Sequence, residues 1–198
     1  MAFGKVVLLH GTSSSGKTTI ARAFQRRADE PWVRLGIDVF WTAIDERWME
    51  FGPYAEEGFR WVARDEGLAI VGGPVGQRLA AAMRASVSAT ARNGLNVIAD
   101  DVLIERSWLD DWAEALAGLE TLFVAVHAPL VVLEERERQR GNRVLGEARA
   151  QHAVVHRGIV YDAELDTAAN DAEKCAQLVE VALDEAPHPR ALERLRRN

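Results

Sequence analysis

Residues 11–18 read Gly-Thr-Ser-Ser-Ser-Gly-Lys-Thr and follow directly on an apolar run over residues 5–9. This segment fits the phosphate-loop pattern Gly-x4-Gly-Lys-Ser/Thr, and its flanks predict a buried strand before it and a helix over residues 17–27 after it. The glycines let the backbone turn tightly, so that successive N–H groups point at phosphate oxygens beside a helix N-terminus. We therefore expect a nucleoside triphosphate to bind here, in preference to a plain serine-rich turn.

Two side chains of the motif have defined partners in a phosphate loop. The lysine, Lys17, reaches the β- and γ-phosphates, and the hydroxyl of Thr18 is a ligand for Mg²⁺. The expected cofactors are ATP and Mg²⁺. The residues predicted to contact the nucleotide are Gly11, Thr12, Ser13, Ser14, Ser15, Gly16, Lys17, Thr18 and Thr19.

The charge balance and the single cysteine narrow the range of partners. A net charge of −6 leaves no surplus of Lys and Arg to neutralise nucleic-acid phosphates. One cysteine, Cys175, excludes an internal disulfide framework and fits a reducing cytoplasm. The apolar stretch 6–9 is too short for a signal peptide, and Pro129 interrupts the longest apolar region. We expect a cytoplasmic protein with no membrane or nucleic-acid partner.

Short apolar segments alternate with amphipathic ones along the chain. Strands are predicted over residues 6–9, 32–37, 95–99, 121–126 and 164–167, and helices over 17–27, 39–48, 74–93, 105–117, 129–139, 147–155 and 172–185. This order predicts an α/β fold with a mainly parallel five-stranded sheet and helices on both faces.

Two further features complete the predicted organisation. Segments 59–63 and 68–71 flank a turn containing Asp65 and Gly67, which predicts a small β-hairpin near the acceptor site. Residues 1–186 are expected to form one domain. The basic tail 187–198 is either a loosely docked helix or disordered.

Acidic residues follow two of the predicted strands. Ligands of such sheets bind beyond the carboxyl ends of the strands, where Asp38, Asp100, Asp101 and His127 lie. Asp38 is predicted to accept the proton of an attacking hydroxyl, and the alternative is the N-cap of the next helix. The histidines show no metal-binding spacing and are interpreted as structural.

The neighbours Asp100 and Asp101 should have different roles, because successive strand residues point to opposite faces. Asp100 is predicted to hold Mg²⁺ together with Thr18. Asp101 either faces the acceptor or caps the following helix. The tryptophans around residues 39–61 are either core residues or an aromatic wall for the acceptor, with Trp41 and Trp61 as the candidate contacts.

The segment 134–143 is dense in charges of both signs. Its Arg136, Arg140 and Arg143 recur at helical spacing and therefore share one face. One interpretation is a solvated helix. The other is a lid, hinged at Gly141-Asn142, whose arginines stabilise the charge of the transferring phosphoryl group and exclude water.

The chain resembles the chloramphenicol phosphotransferases and their relatives, which are small kinases with a phosphate-loop fold. The matching segments are residues 11–18, 30–32, 36–38, 97–103, 136, 140–144, 154–162 and 164–167, and the most distinctive is Val-His-x-Gly-x-x-Tyr-Asp at 155–162. The resemblance implies that Asp38 is the base. It also implies transfer of the γ-phosphate of ATP to a small-molecule hydroxyl, such as that of chloramphenicol. The biological role would then be antibiotic resistance, self-protection of a producer or ordinary metabolism. The resemblance is loose over residues 42–76.

Two other functions stay open at this stage. A metabolite kinase for a nucleoside, sugar acid or nucleotide sugar would need a basic acceptor pocket, whereas carboxylates outnumber arginines over residues 39–76. A nucleotide-dependent switch would have no acceptor at all, and the chain contains no guanine-reading Asn-Lys-x-Asp motif. The leading prediction is an ATP-dependent phosphotransferase with a small-molecule alcohol as its acceptor.

Overall fold

The computed structural model describes residues 2–64, 67–140 and 145–197. Its strands are β1 (Val6–His10), β2 (Trp32–Gly36), β3 (Met49–Glu50), β4 (Phe59–Arg64), β5 (Gly67–Gly72), β6 (Asn96–Asp101), β7 (Thr121–His127) and β8 (Ala163–Asp166). Its helices are α1 (Lys17–Arg27), α2 (Ile37–Trp41), α3 (Pro74–Arg92), α4 (Arg106–Ala115), α5 (Leu130–Arg140), α6 (Glu147–His152), α7 (Ala172–Glu185) and α8 (Ala191–Arg197). Among these helices, none combines the length and apolar content that a membrane crossing requires.

The main sheet places β1 at its centre. Within the described residues it contains five strands in the order β2-β6-β1-β7-β8, and each neighbouring pair is parallel. The predicted parallel five-stranded sheet is confirmed. Because β1 is central, the loop after it emerges between the carboxyl ends of β6 and β7, where ligands of such sheets bind.

Both faces of the sheet are covered, so its strands are apolar on both sides. In β1, Val6 and Leu8 pack in the layer that contains α3, α4 and α8. Val7 and Leu9 point to the opposite face and pack with α1 and α7. All four side chains are fully buried, which explains why this strand reads as a continuous apolar run.

The predicted hairpin is also confirmed. Strands β4 and β5 pair antiparallel, with Phe59 opposite Gly72, and the turn residues 65–66 lie outside the described residues. The two-residue strand β3 adds a parallel partner to β4. The sequence did not predict β3, because a two-residue strand is too short to show an alternation of apolar and polar residues.

The predicted helix over residues 39–48 is wrong. Helix α2 ends at Trp41, and a separate 3-10 turn spans Glu46–Trp48. The Thr42 hydroxyl bonds back to the carbonyl oxygens of Asp38 and Val39, and the Asp45 carboxylate accepts the N–H of Arg47 at 2.9 Å. Such local side-chain bonds compete with helix continuation and start a new turn.

The basic tail contains a docked helix. In α8, Ala191 and Leu192 are about 5% exposed or less and belong to the core layer of α3 and α4. The buried carboxylate of Asp162 holds this helix, since it accepts the N–H of Ala191 at 2.7 Å and that of Phe123, in β7, at 2.9 Å. The disordered alternative for residues 191–197 is therefore excluded.

Replacing Asp162 should loosen α8. In Asp162→Ala, two backbone N–H groups in the interior lose their acceptor, which costs about 1–3 kcal/mol. For a chain of this size, each kcal/mol lowers Tm by about 2–4 °C. Thermal melting followed by circular dichroism measures the change. The control is Asp184→Ala, at an exposed position of α7, and equal Tm values for the two variants would contradict the anchoring role.

Candidate active site

The loop between β1 and α1 is buried. Thr12, Ser13, Ser14 and Ser15 are each at most 7% exposed. Gly16 has a φ of 101°, in the left-handed region that residues other than glycine rarely adopt. The hydroxyl oxygens of the three serines have no hydrogen-bond partner among the residues that the structure describes. A loop of buried, unpartnered polar groups at the start of a helix fits the phosphates of a nucleotide.

Lys17 lies folded over this loop. Its Nζ donates to the carbonyl oxygens of Gly11 at 2.8 Å and Thr12 at 2.7 Å. Burial lowers the pKa of its ammonium group, and the negative charges of Asp100 and Asp38 oppose that shift. The cation is thus held in the interior by carboxylates, close to where phosphates would bind.

The Thr18 hydroxyl donates to Oδ2 of Asp100 at 2.8 Å. Burial raises the pKa of the Asp100 carboxyl, and Lys17 and the Thr18 hydrogen bond oppose that shift. A hydroxyl and a carboxylate side by side are oxygen ligands of the kind that nucleotide-bound Mg²⁺ takes from proteins. The pair therefore fits the predicted metal site.

Gly36 leaves room for this carboxylate. A Cβ at residue 36 would lie 1.7 Å from Oδ1 of Asp100. The two residues are register partners on β2 and β6. Glycine is required at this position because the neighbouring strand's carboxylate occupies the space of a side chain.

Asp38 stands at the carboxyl end of β2, in the first turn of α2. The N-cap of that helix is Gly36, so the alternative role of Asp38 as N-cap is wrong. Its charge acts on both Lys17 and Asp100. Asp38 therefore faces the same space as the phosphate loop and the Thr18–Asp100 pair.

Asp101 has different partners, as its opposite orientation on the strand predicts. Its Oδ2 accepts the indole N–H of Trp112 at 2.7 Å, and its Oδ1 accepts the N–H of Val102 at 2.8 Å. Burial raises the pKa of this carboxyl, and the bond from Trp112 opposes the shift. The N-cap of α4 is Glu105, so the capping alternative for Asp101 is wrong.

A cavity of about 660 Å³ opens beside the phosphate loop. Lys17, Asp38, Asp100 and Asp101 line one end of it. Its other walls come from α2, the hairpin, α3 and α4, with further contributions from α5 and α6. The apolar lining side chains are Ile37, Trp41, Phe59, Ile70, Pro74, Ala80, Ala81, Val102, Ile104 and Trp108.

Contact of Trp41 and Trp61 with an acceptor stays a prediction, and the structure differs between the two residues. Trp41 lines the large cavity and packs on Phe59, with ring centroids 5.2 Å apart. Trp61 is not among the lining residues described. Trp108 of α4 takes a place in the wall that the sequence did not reveal.

Two arginines of α3 also line the large cavity, Arg78 and Arg84. Arg84 is 8% exposed and donates to Asp111 of α4 at 2.7 Å. Sequence reasoning missed both arginines, because the face of α3 that meets the cavity depends on its packing. They introduce positive charge into a region that the sequence suggested to be acidic and apolar.

A smaller cavity of about 390 Å³ lies on the other side of the loop, next to α5. Arg136 and Arg140 both line it, as their shared helical face predicts, and Arg140 also lines the large cavity. Arg136 donates to the side-chain and carbonyl oxygens of Thr167, each at 2.8 Å. Arg143 and the predicted hinge at 141–142 lie outside the described residues.

Helix α6 reaches the phosphate loop with two buried polar residues that the sequence did not reveal. Gln151 accepts the N–H of Ser13 through Oε1 at 2.6 Å. Its Nε2 donates to Glu147 at 2.8 Å. Both side chains line the large cavity.

No residue of the distinctive 155–162 segment is among the described lining residues of either cavity. The Tyr161 hydroxyl lies 2.8 Å from Nδ1 of His10 and 2.7 Å from Nδ1 of His156. Burial lowers the pKa of His156 to about 4. His127 pairs with Glu164 at 2.9 Å, and neither cavity includes any of these histidines among its described lining residues. These contacts favour the structural interpretation of the histidines.

Removal of the Lys17 ammonium should weaken nucleotide binding. A hydrogen bond to a charged group contributes about 1.5–3 kcal/mol, so Lys17→Ala is expected to raise Kd for ATP by about 10- to 100-fold. Isothermal titration measures this change. Lys174→Ala, at an exposed position of α7, is the control, and equal ATP affinity in the two variants would remove Lys17 from the nucleotide site.

The fold is shared with solved kinases. The Mycobacterium tuberculosis APS kinase in complex with AMPPNP and APS superposes with a TM-score of 0.66 at 17% identity, covering 93% of this chain and 100% of that one. Shikimate kinase from Acinetobacter baumannii in complex with shikimate gives 0.59 at 16% identity, covering 89% and 91%. These likenesses establish a phosphate-loop kinase fold.

Sequence comparison gives nearer relatives. Proteins of two Mycobacterium tuberculosis strains, CDC 1551 and H37Rv, are provisionally named O-phosphotransferases. Each is 35% identical over 202 residues, which cover 100% of this chain and 90% of the relative. Residues 4–184 match the family described as chloramphenicol phosphotransferase-like protein. The chain belongs to this family and is an enzyme of the kinase type.

Proposed function

We propose that this enzyme transfers the γ-phosphate of ATP, bound with Mg²⁺, to a hydroxyl group of a small molecule. The observation that carries the proposal is the convergence of Lys17, the Thr18–Asp100 pair and Asp38 at one end of the large cavity. A volume of about 660 Å³ lies within the range of small-molecule sites. The remainder of the cavity offers room for an acceptor next to the phosphates.

In the proposed reaction Asp38 accepts the proton of the acceptor hydroxyl. The hydroxyl oxygen forms a bond to the γ-phosphorus while the bond from that phosphorus to the β–γ bridging oxygen breaks, which releases ADP. Lys17 stabilises the negative charge that develops on the phosphates. Bound Mg²⁺ would neutralise phosphate charge, and Thr18 and Asp100 would hold it.

Arg140 is the arginine best placed to act on the transferring group, since it lines both cavities. Arg136 would instead fix α5 to the chain beyond β8 through Thr167. We also propose that Arg143 contributes to the lid predicted from the sequence. Thr19, which lines the small cavity with Arg136 and Arg140, would contact the nucleotide on the side away from the acceptor.

For the acceptor, we favour a neutral or weakly polar alcohol, with chloramphenicol as the first candidate. Trp41 and Trp108 supply apolar walls, and Asp101 lies beside them with both oxygens bonded to protein donors. Phosphorylation of chloramphenicol would make the enzyme a resistance factor. A cytoplasmic location, where ATP is available and Cys175 stays reduced, accompanies this proposal.

One observation favours a second candidate, a metabolite kinase with an anionic acceptor. The Arg84 guanidinium has five N–H donors, and its single described hydrogen bond goes to Asp111. With Arg78, it could bind a carboxylate or phosphate of the acceptor. Transfer from γ-labelled ATP with Mg²⁺ to chloramphenicol, other hydroxylated antibiotics, nucleosides and sugar acids distinguishes the two candidates. The switch hypothesis predicts transfer to none of them.

Asp38→Asn should abolish transfer and leave ATP binding nearly intact. General-base catalysis contributes about 10²- to 10⁴-fold, and the amide cannot take the proton. Steady-state kinetics with the acceptor found in the panel measure kcat, and isothermal titration measures Kd for ATP, each for the variant and the wild-type chain. Asp184→Asn on exposed α7 is the matched control. Full activity of Asp38→Asn would exclude Asp38 as the base.

If the acceptor carries an anionic group, Arg84→Met should raise KM for the acceptor without changing KM for ATP. Loss of a charged donor costs about 1.5–3 kcal/mol, which corresponds to about a 10- to 100-fold change if the acceptor carries an anionic group. Steady-state kinetics measure both constants. The control is Arg92→Met, at the exposed end of the same helix. An unchanged acceptor KM would favour the neutral alcohol and a structural role for Arg84.

A further inference from the structure

The Gln151 side chain accepts a hydrogen bond from a backbone N–H of the phosphate loop. Ser13, Gln151 and Glu147 are 7%, 2% and 3% exposed, so the contact is in the interior. The Ser13 N–H donates to Oε1 of Gln151 at 2.6 Å, and Nε2 of Gln151 donates to Glu147 at 2.8 Å. The second hydrogen bond fixes the orientation of the amide, so that its oxygen points at the loop.

The position of Ser13 shows which phosphate this contact concerns. Ser13 lines the large cavity together with Asp38, Glu147 and Gln151, and it is not among the lining residues described for the small cavity. The phosphate that is transferred must lie next to the acceptor. The Ser13 N–H is therefore a loop donor on the side of the γ-phosphate.

The Gln151 side chain provides what a phosphate oxygen would provide. Its amide oxygen satisfies a buried backbone donor, and the negative charge of Glu147 acts favourably on Lys17. A γ-phosphate bound next to Ser13 would accept a hydrogen bond from the same N–H group and would pair with the same cation, Lys17. Since ADP has no third phosphate, it can bind while Gln151 stays in place.

We propose that Gln151 discriminates between nucleotides, because its amide oxygen occupies the Ser13 N–H that the γ-phosphate of ATP must take over. ATP displaces Gln151 from the loop, whereas ADP leaves the contact intact. Gln151 thereby lowers the affinity for ATP relative to ADP. This inference rests on the proposed use of ATP.

The test compares AMPPNP with ADP, each with Mg²⁺, by isothermal titration of the wild-type chain and Gln151→Leu. Leucine cannot accept the Ser13 N–H, so the ligand-free state loses one hydrogen bond that AMPPNP would otherwise have to break. We expect Kd for AMPPNP to fall by about three- to tenfold, with Kd for ADP unchanged. Gln177→Leu, at an exposed position of α7, should alter neither value.

Gln151→Glu supplies a second test that keeps an acceptor at this position. A carboxylate binds the Ser13 N–H more strongly and repels the γ-phosphate, so Kd for AMPPNP should rise more than Kd for ADP. Circular dichroism melting checks that each variant is folded. If Gln151→Leu does not fold, the nucleotide affinities of Gln151→Glu decide the question.

Three results would overturn the inference. Weaker AMPPNP binding by Gln151→Leu, or equal changes in both Kd values, would mean that Gln151 supports the shape of the loop. In those two cases the proposed function would be unaffected. If the wild-type chain bound neither nucleotide, the proposed use of ATP would fail, and this inference with it.

Discussion

The parallel pairing of β6 with both β1 and β2 is the constraint on which the site depends. It sets Asp100 opposite Leu9, just before the phosphate loop, and opposite Gly36, just before Asp38. The Thr18–Asp100 pair, Lys17 and the proposed base, Asp38, therefore meet at the carboxyl edge of the sheet. Their geometry follows from strand register, which burial on both faces of the sheet fixes strongly.

The parts of the site that could be predicted are those encoded within a few residues. The phosphate loop has a fixed spacing, and Asp38 and Asp100 directly follow apolar strands whose carboxyl ends must share an edge. Arg84, Trp108 and Gln151 could not be predicted in this way. They lie within helices, and whether a helical residue meets a cavity depends on the rotation and packing of the helix rather than on local sequence. The broken helix at Thr42 likewise depends on side-chain bonds that apolar periodicity does not reveal.

The sequence segment most typical of the family has a supporting role here. His156 and Tyr161 connect to His10 at the end of β1, and Asp162 joins β7 to α8. These contacts fix the base of the phosphate loop and the edge of the sheet. Residues that identify a family can thus be those that hold its scaffold rather than those that line its cavities.

Gly36 of β2 determines where a side chain of the neighbouring strand, β6, can lie. Its missing side chain is the space in which the Asp100 carboxylate sits, although residue 36 itself has no functional group. Even alanine there would force the carboxylate out of line with Thr18. Such a variant would disturb the proposed Mg²⁺ site although Thr18 and Asp100 were both still present, because the change at residue 36 is one of volume and not of charge.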